Sequence, residues 1–147
     1  MNCDTSKLTK ISKEFQWEMS HRLPFHKGLC KNIHGHTYKM RIDLDGIPDS
    51  DGMLVDFYDM ELIMRPIINK LDHAFLCDKD DKIMLDFLTQ NGFKHEVLPY
   101  TSTSENIVHY IADKAIPEFR KLNSIAKITI RLFETEGVFA EITEDIH

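Results

Sequence analysis

His34 and His36 bracket a single glycine in the stretch "CKNIHGHTYKM", residues 30 to 40, and Cys30 precedes them by four positions. Histidines spaced by two reach the same side of an extended chain. A third imidazole from a neighbouring strand can join them around one tetrahedral cation and leave its fourth position open for water or substrate. His21 is the candidate for that third ligand. Three neutral imidazoles leave the charge of a zinc ion uncompensated, so the ion stays a strong Lewis acid toward oxygen, which suits catalysis more than architecture. The competing reading is a surface His-Gly-His that binds nothing. Gly35 favours the metal, because a residue without a side chain lets backbone or ligand approach between the two rings.

Cys30 can complete a histidine and cysteine metal set, pack as a small hydrophobe, or serve as a reactive thiol beside the ion; its spacing fits all three. A thiolate next to zinc and a protonatable imidazole has a lowered pKa and acts as a base near neutrality. Asp72 and His73, in "LDH", offer such an imidazole with a carboxylate to orient it, or else a solvated pair at a helix end. Cys3, Cys30 and Cys77 are odd in number and lack framework spacing, which implies free thiols in a reducing compartment.

These side chains need elements to position them. With 147 residues, no repeat and no linker, the chain reads as one domain over 1–147, residues 1–13 forming an N-terminal extension. Its net charge of -6 argues against a protein devoted to nucleic-acid backbones. The first residues lack the apolar core of a signal peptide and no run approaches a membrane span, so a cytoplasmic location is expected. Phe15, Trp17, Met19 and His21 share one parity against Gln16, Glu18 and Ser20, the pattern of a half-buried strand over 14–21. His36, Tyr38, Met40, Ile42 and Leu44 repeat it in a second strand, so all three histidines are expected to face inward.

"DGIPDSDG" is a turn, Asp56 caps a helix over 57–70, and Pro66 should kink or shorten it. "LDHAFLCDKD" reads as a loop, and a second helix spans about 80–90 before Gly92. "TSTSEN" caps a third helix whose apolar face is Ile107, Val108, Ile111, Ala112, Ala115, Ile116 and Phe119. Ile128, Ile130, Leu132 and Glu134 share a strand face, and "ETEG" turns into a last strand, "VFAEIT". Strands, helices and strands without regular alternation predict an α+β fold, an antiparallel sheet with helices on one face. Glu134 is anomalous, since an inward carboxylate needs donors. It either leans out at the strand end or accepts paired N–H groups from a planar heterocycle. Glu105 reads equally as an early-helix acid favoured by the macrodipole.

The ordered set "MSHRL", C-x3-HGH-x-Y, "GMLVDF", "LDHAFL", "TSTSEN" and "FETEG" resembles the family of 6-pyruvoyl-tetrahydropterin and 6-carboxytetrahydropterin synthases, from Phe15 to Ala140. Each motif is short, and their shared order and gaps carry the resemblance. It implies His21, His34 and His36 as zinc ligands, Cys30 as the catalytic thiol, and Asp72 with His73 as its proton relay. It further implies that Glu134, helped by Thr103, Ser104 and Glu105, holds the 2-amino and N3–H edge of a pterin. The implied architecture is the tunnelling fold (T-fold), with a four-stranded antiparallel sheet, trimers closing a barrel and pairing into homohexamers, and active sites at subunit interfaces.

The implied substrate is 7,8-dihydroneopterin triphosphate, and the C-x3-HGH gap is similar to the carboxytetrahydropterin branch, which releases acetaldehyde and triphosphate on the route to queuosine. The alternatives are the pyruvoyl reaction on the same site residues, a non-catalytic zinc or pterin binding module, and a three-histidine hydrolase. Ser102 stands where the family commonly has proline, and His26 and Lys27 are candidates for the triphosphate on charge alone.

Overall fold

The structure, a computed structural model, describes residues 7–147. Cys3 and the first part of the expected N-terminal extension lie outside the described residues. The remainder of that extension is largely strand, because β1 runs Thr9–His21 and pairs antiparallel with β2, His34–Gly46, over its whole length. Pairing Phe15 with Met40 and His21 with His34 turns every apolar residue of both strands to one side.

Further along lie α1 (Phe57–Leu71), β3 (Ala74–Asp78), α2 (Lys82–Asn91), β4 (His95–Leu98), α3 (Ser104–Phe119), β5 (Ile125–Thr135) and β6 (Val138–Asp145). The sheet order is β4-β3-β1-β2-β5-β6. Strands β1, β2, β5 and β6 form the expected antiparallel four, but the sheet has six strands and is mixed, since β3 runs parallel to both β1 and β4. The segment read as a loop thus contains β3. Its residues Ala74 to Cys77 are buried on both faces, which erases the alternation that marks a half-buried strand.

Two-sided burial also corrects the expectation of helices on one face. Leu76 belongs to the main core with Phe15, Tyr38, Met64, Ile68 and Ile111, under α1 and α3. Its neighbours Phe75 and Cys77 point the other way, into a second cluster with Met84 and Leu88 of α2. The expected helix starts hold: Asp56 accepts from Tyr58 N at 2.8 Å, and Thr103 Oγ1 from Asn106 N at 3.2 Å. Pro66 does not shorten α1, which continues to Leu71 with the proline on its exposed side. All seven apolar residues expected on one face of α3 are buried. No helix among the described residues is long and apolar enough to cross a membrane.

Gly46 ends β2 where the sheet meets the α3–β5 connection. A methyl group there would lie 2.2 Å from the Ser124 carbonyl oxygen and 2.6 Å from Leu54 Cδ1. Backbone cannot retreat as a flexible side chain can, so Gly46→Ala should cost about 2 kcal/mol. The expected result is a lower urea midpoint with an unchanged slope.

Candidate metal and substrate site

His21 closes β1 and His34 opens β2 directly opposite, so the strand register alone brings their rings to centroids 4.6 Å apart. His36, two residues on, lies 4.9 Å from His34 and 5.3 Å from His21. Glu134, one step beyond the Lys39–Phe133 pair of β2 and β5, completes a group whose four ligand atoms lie within 4.8 Å of one another. The group contains no cysteine.

Carbonyl partners set the histidine tautomers. His21 Nδ1 donates to the Ser102 carbonyl at 2.8 Å, and His34 Nδ1 donates to the Asn32 carbonyl at 2.7 Å. A carbonyl oxygen only accepts, so both rings carry their proton on Nδ1 and present an Nε2 lone pair to the centre of the group. His36 Nε2 is buried without a hydrogen bond, although it lies 3.3 Å from Glu134 Oε1. Burial, opposed by the Glu134 carboxylate, lowers the pKa of His36 and keeps its ring neutral.

His21 Nε2 faces Glu134 Oε1 at 3.0 Å. Two acceptors at that distance require a proton or a cation between them. The donor set of three imidazole nitrogens and one carboxylate oxygen fits zinc. When that bridge is a proton on Nε2, a hydrogen bond from the His21 ring holds Glu134 below the usual carboxylate range against the opposing effect of burial, with His36 and Ser104 assisting. Tyr38, fully buried beneath, is pushed well above the ordinary phenol value by burial and by Glu134, and stays protonated.

The "TSTSEN" loop divides the work at the start of α3. Ser102, fully buried, orients His21 through its carbonyl and also places its hydroxyl 3.2 Å from Nδ1. Thr103 caps the helix, and Ser104 Oγ donates to Glu134 Oε2 at 3.2 Å. Glu105, expected beside Glu134, instead lines a separate cleft with His109, Phe139 and Glu141. Successive helical residues point about 100° apart, so Glu105 leaves α3 in a different direction from Ser104. Ser102 is the functional residue that sequence reasoning missed as a partner of the histidines. Its place among capping residues gave no signal for that contact, which arises only when β1 and the α3 loop meet.

Cys30 sits in a 3-10 turn, Leu29–Lys31, within the loop that joins the His21 and His34 strand ends. Leu23 N donates to the Cys30 carbonyl at 2.8 Å and closes that loop, leaving the thiol half-buried. His26 Nδ1 accepts from Gly28 N in the same loop. Asp72 and His73 lie elsewhere, where α1 passes into β3. His73 Nδ1 donates to Asp72 Oδ1 at 2.9 Å, as the sequence suggested, and the ring is largely exposed at 75%.

His73 N donates to the Glu18 carbonyl, which places the pair three residues before His21, on the order of 10 Å along β1. An open cleft of about 340 Å³ is lined by His73, Glu18, Ser20, Gly35 and His36, and Glu18, Ser20 and Gly35 stand on the sheet face opposite to that of the three histidine rings. Cys77 is a core thiol, pushed up to about 11 by burial and by Asp81 and Asp78.

Comparison with known proteins identifies the family. The 6-pyruvoyl tetrahydropterin synthase family model matches residues 10–145. A 6-carboxy-5,6,7,8-tetrahydropterin synthase from Haemophilus influenzae is 33% identical, over 92% of this chain and 99% of its own. A protein of the same name from Aquifex aeolicus is 26% identical, over 92% and 98%. Among solved structures, the Plasmodium vivax 6-pyruvoyl tetrahydropterin synthase superposes with a TM-score of 0.76 at 20% identity, over 96% of this chain and all of its own. Sequence match, curated relatives and fold agree, and the chain belongs to the 6-pyruvoyl tetrahydropterin synthase family.

Proposed function

We propose that this protein is a zinc-dependent lyase converting 7,8-dihydroneopterin triphosphate to 6-carboxy-5,6,7,8-tetrahydropterin, with release of acetaldehyde and triphosphate. The observation that carries the reading is the convergence of His21, His34 and His36 with two of their Nδ1 protons tied to carbonyls, which leaves free nitrogen donors at one point. Those three rings would hold the zinc ion, whose chemistry is to acidify and polarise the oxygens of the substrate side chain. Glu134 accepts the 2-amino and N3–H donors of the pterin, with Ser104 fixing its other oxygen. Thr103 shapes that end of the site by starting α3.

Cys30 acts as the base that removes a side-chain proton, and His73, oriented by Asp72, returns one. The curated relatives' shared name and the three-residue gap between Cys30 and His34 favour the carboxy product over the pyruvoyl one. We assign the carboxy product to queuosine biosynthesis and the enzyme to the cytoplasm. A homohexamer of two trimers would close the six-stranded sheets into barrels, and sites at subunit interfaces would let Asp72–His73 of one chain serve the histidine group of another.

The deciding experiment incubates zinc-loaded protein with 7,8-dihydroneopterin triphosphate and identifies products by mass. Equal amounts of carboxytetrahydropterin and acetaldehyde are expected. A pyruvoyl product without acetaldehyde would assign the other reaction, and bound but unchanged pterin would make the chain a binding module. In the same assay Cys30→Ala should keep its zinc and lose roughly 10²–10⁴ in turnover. Turnover near that of the parent would remove Cys30 from the mechanism.

A further inference from the structure

His73 is the one residue other than glycine with a positive φ among the described residues, at 59°. An L-residue is strained there and keeps that conformation only where its surroundings hold it. Three contacts do so from the β1 side and from within the turn: His73 N to the Glu18 carbonyl at 2.6 Å, Glu18 N to Asp72 Oδ1 at 3.1 Å, and the His73–Asp72 side-chain bond. A fourth support comes from the opposite side. Lys94 Nζ donates to the Asn69 carbonyl at 2.6 Å and to the Asp72 carbonyl at 2.5 Å, while the Lys94 carbonyl accepts from Phe75 N at 3.1 Å.

The two ends of Lys94 therefore grip the chain on either side of His73. The Asn69 carbonyl is one of the unpaired acceptors that end α1, so the ammonium also sits where the helix dipole is negative. Lys94 precedes β4, whose His95 pairs with Phe75 and gives the lysine a rigid base.

We propose that Lys94 is a positioning residue for the Asp72–His73 pair, clamping the end of α1 to the start of β3 so that the left-handed turn at His73 presents its imidazole to the cleft. The proposal rests on the reading of His73 as proton donor. Two of the three ammonium donors of Lys94 are committed to main-chain carbonyls, which suits a structural grip.

The test is steady-state turnover of 7,8-dihydroneopterin triphosphate by the zinc-loaded full chain. Lys94→Met keeps the aliphatic stem and removes the donors. It should lower kcat roughly ten- to hundredfold through misplacement of the ring, leave KM within about twofold, and be largely rescued in Lys94→Arg. Lys94→Gln, which can reach one carbonyl, should fall between and reads the same effect if the methionine variant fails to fold. His73→Ala is measured alongside. If His73→Ala is slow while Lys94→Met and Lys94→Gln match the parent, the positioning role is overturned, as it is if KM rises and kcat holds. If His73→Ala itself turns over like the parent, the relay reading has failed beneath it.

Discussion

His36→Ala should bind zinc at least ~10³-fold more weakly than the parent and lose a comparable factor in turnover at fixed metal. Outer-shell changes at metal sites already cost ten- to hundredfold in affinity, and this change removes a ligand. His36 is the informative choice among the three histidines. His21 is fully buried against Tyr38 and Ser102, so its loss would also open a cavity. His36 carries a buried Nε2 without a hydrogen bond, and deleting such a group relieves a desolvation cost. Metal-free His36→Ala is therefore expected to melt no lower than the metal-free parent, whereas the rise in Tm that zinc gives the parent should vanish.

That pair of melting curves separates ligand loss from misfolding. Zinc affinity equal to the parent's would place the metal elsewhere. Ser102→Ala is the matched control: the carbonyl that fixes the His21 tautomer is main chain and survives, so affinity should fall by less than about tenfold.

The histidine group was legible in the sequence because strand parity is a strict two-residue code: one register, Phe15 with Met40, puts His21, His34 and His36 on the inner face together. The seven-residue face of α3 was legible for the analogous reason, a helical period sustained over four turns. Strands β3 and β4 were not. Four and five residues are too short to show a period, and β3 is sandwiched between α2 and the main core, so both of its faces are apolar. Missing β3 also hid the setting of Asp72 and His73, which depends on β3 joining β1 at Met19–Ala74 and on Lys94, more than twenty residues later in the chain. The inward parity of Glu134 was visible; its contact with His21 and His36 was not, because parity fixes a face and not a distance.

Glu134→Gln should leave zinc bound and raise KM for the pterin by roughly a hundredfold or more. The substitution keeps shape and removes charge, so what it disturbs reveals what the carboxylate does. Two roles compete on the same geometry. Oε1 lies 3.0 Å from His21 Nε2 and 3.3 Å from His36 Nε2, close enough for a fourth metal ligand, while Oε2 is engaged by Ser104. A ligand role predicts that the amide weakens zinc binding and spares pterin affinity once metal is saturating.

A clamp role predicts the reverse. Two N–H donors converging on a carboxylate form charge-assisted bonds of about 1.5–3 kcal/mol each, and an amide oriented to accept one must aim its own NH₂ at the other donor. Losing one such bond and facing an unpaired donor removes about 3 kcal/mol, or a little over two decades in binding. Three imidazoles, two of them oriented by carbonyls, already suffice for a catalytic zinc site that keeps a position for substrate, so the clamp is the expected outcome. Zinc content by metal analysis and KM at saturating zinc, measured on the same preparation, decide between the two roles: a fall in metal affinity with unchanged KM would move Glu134 from the pterin to the ion.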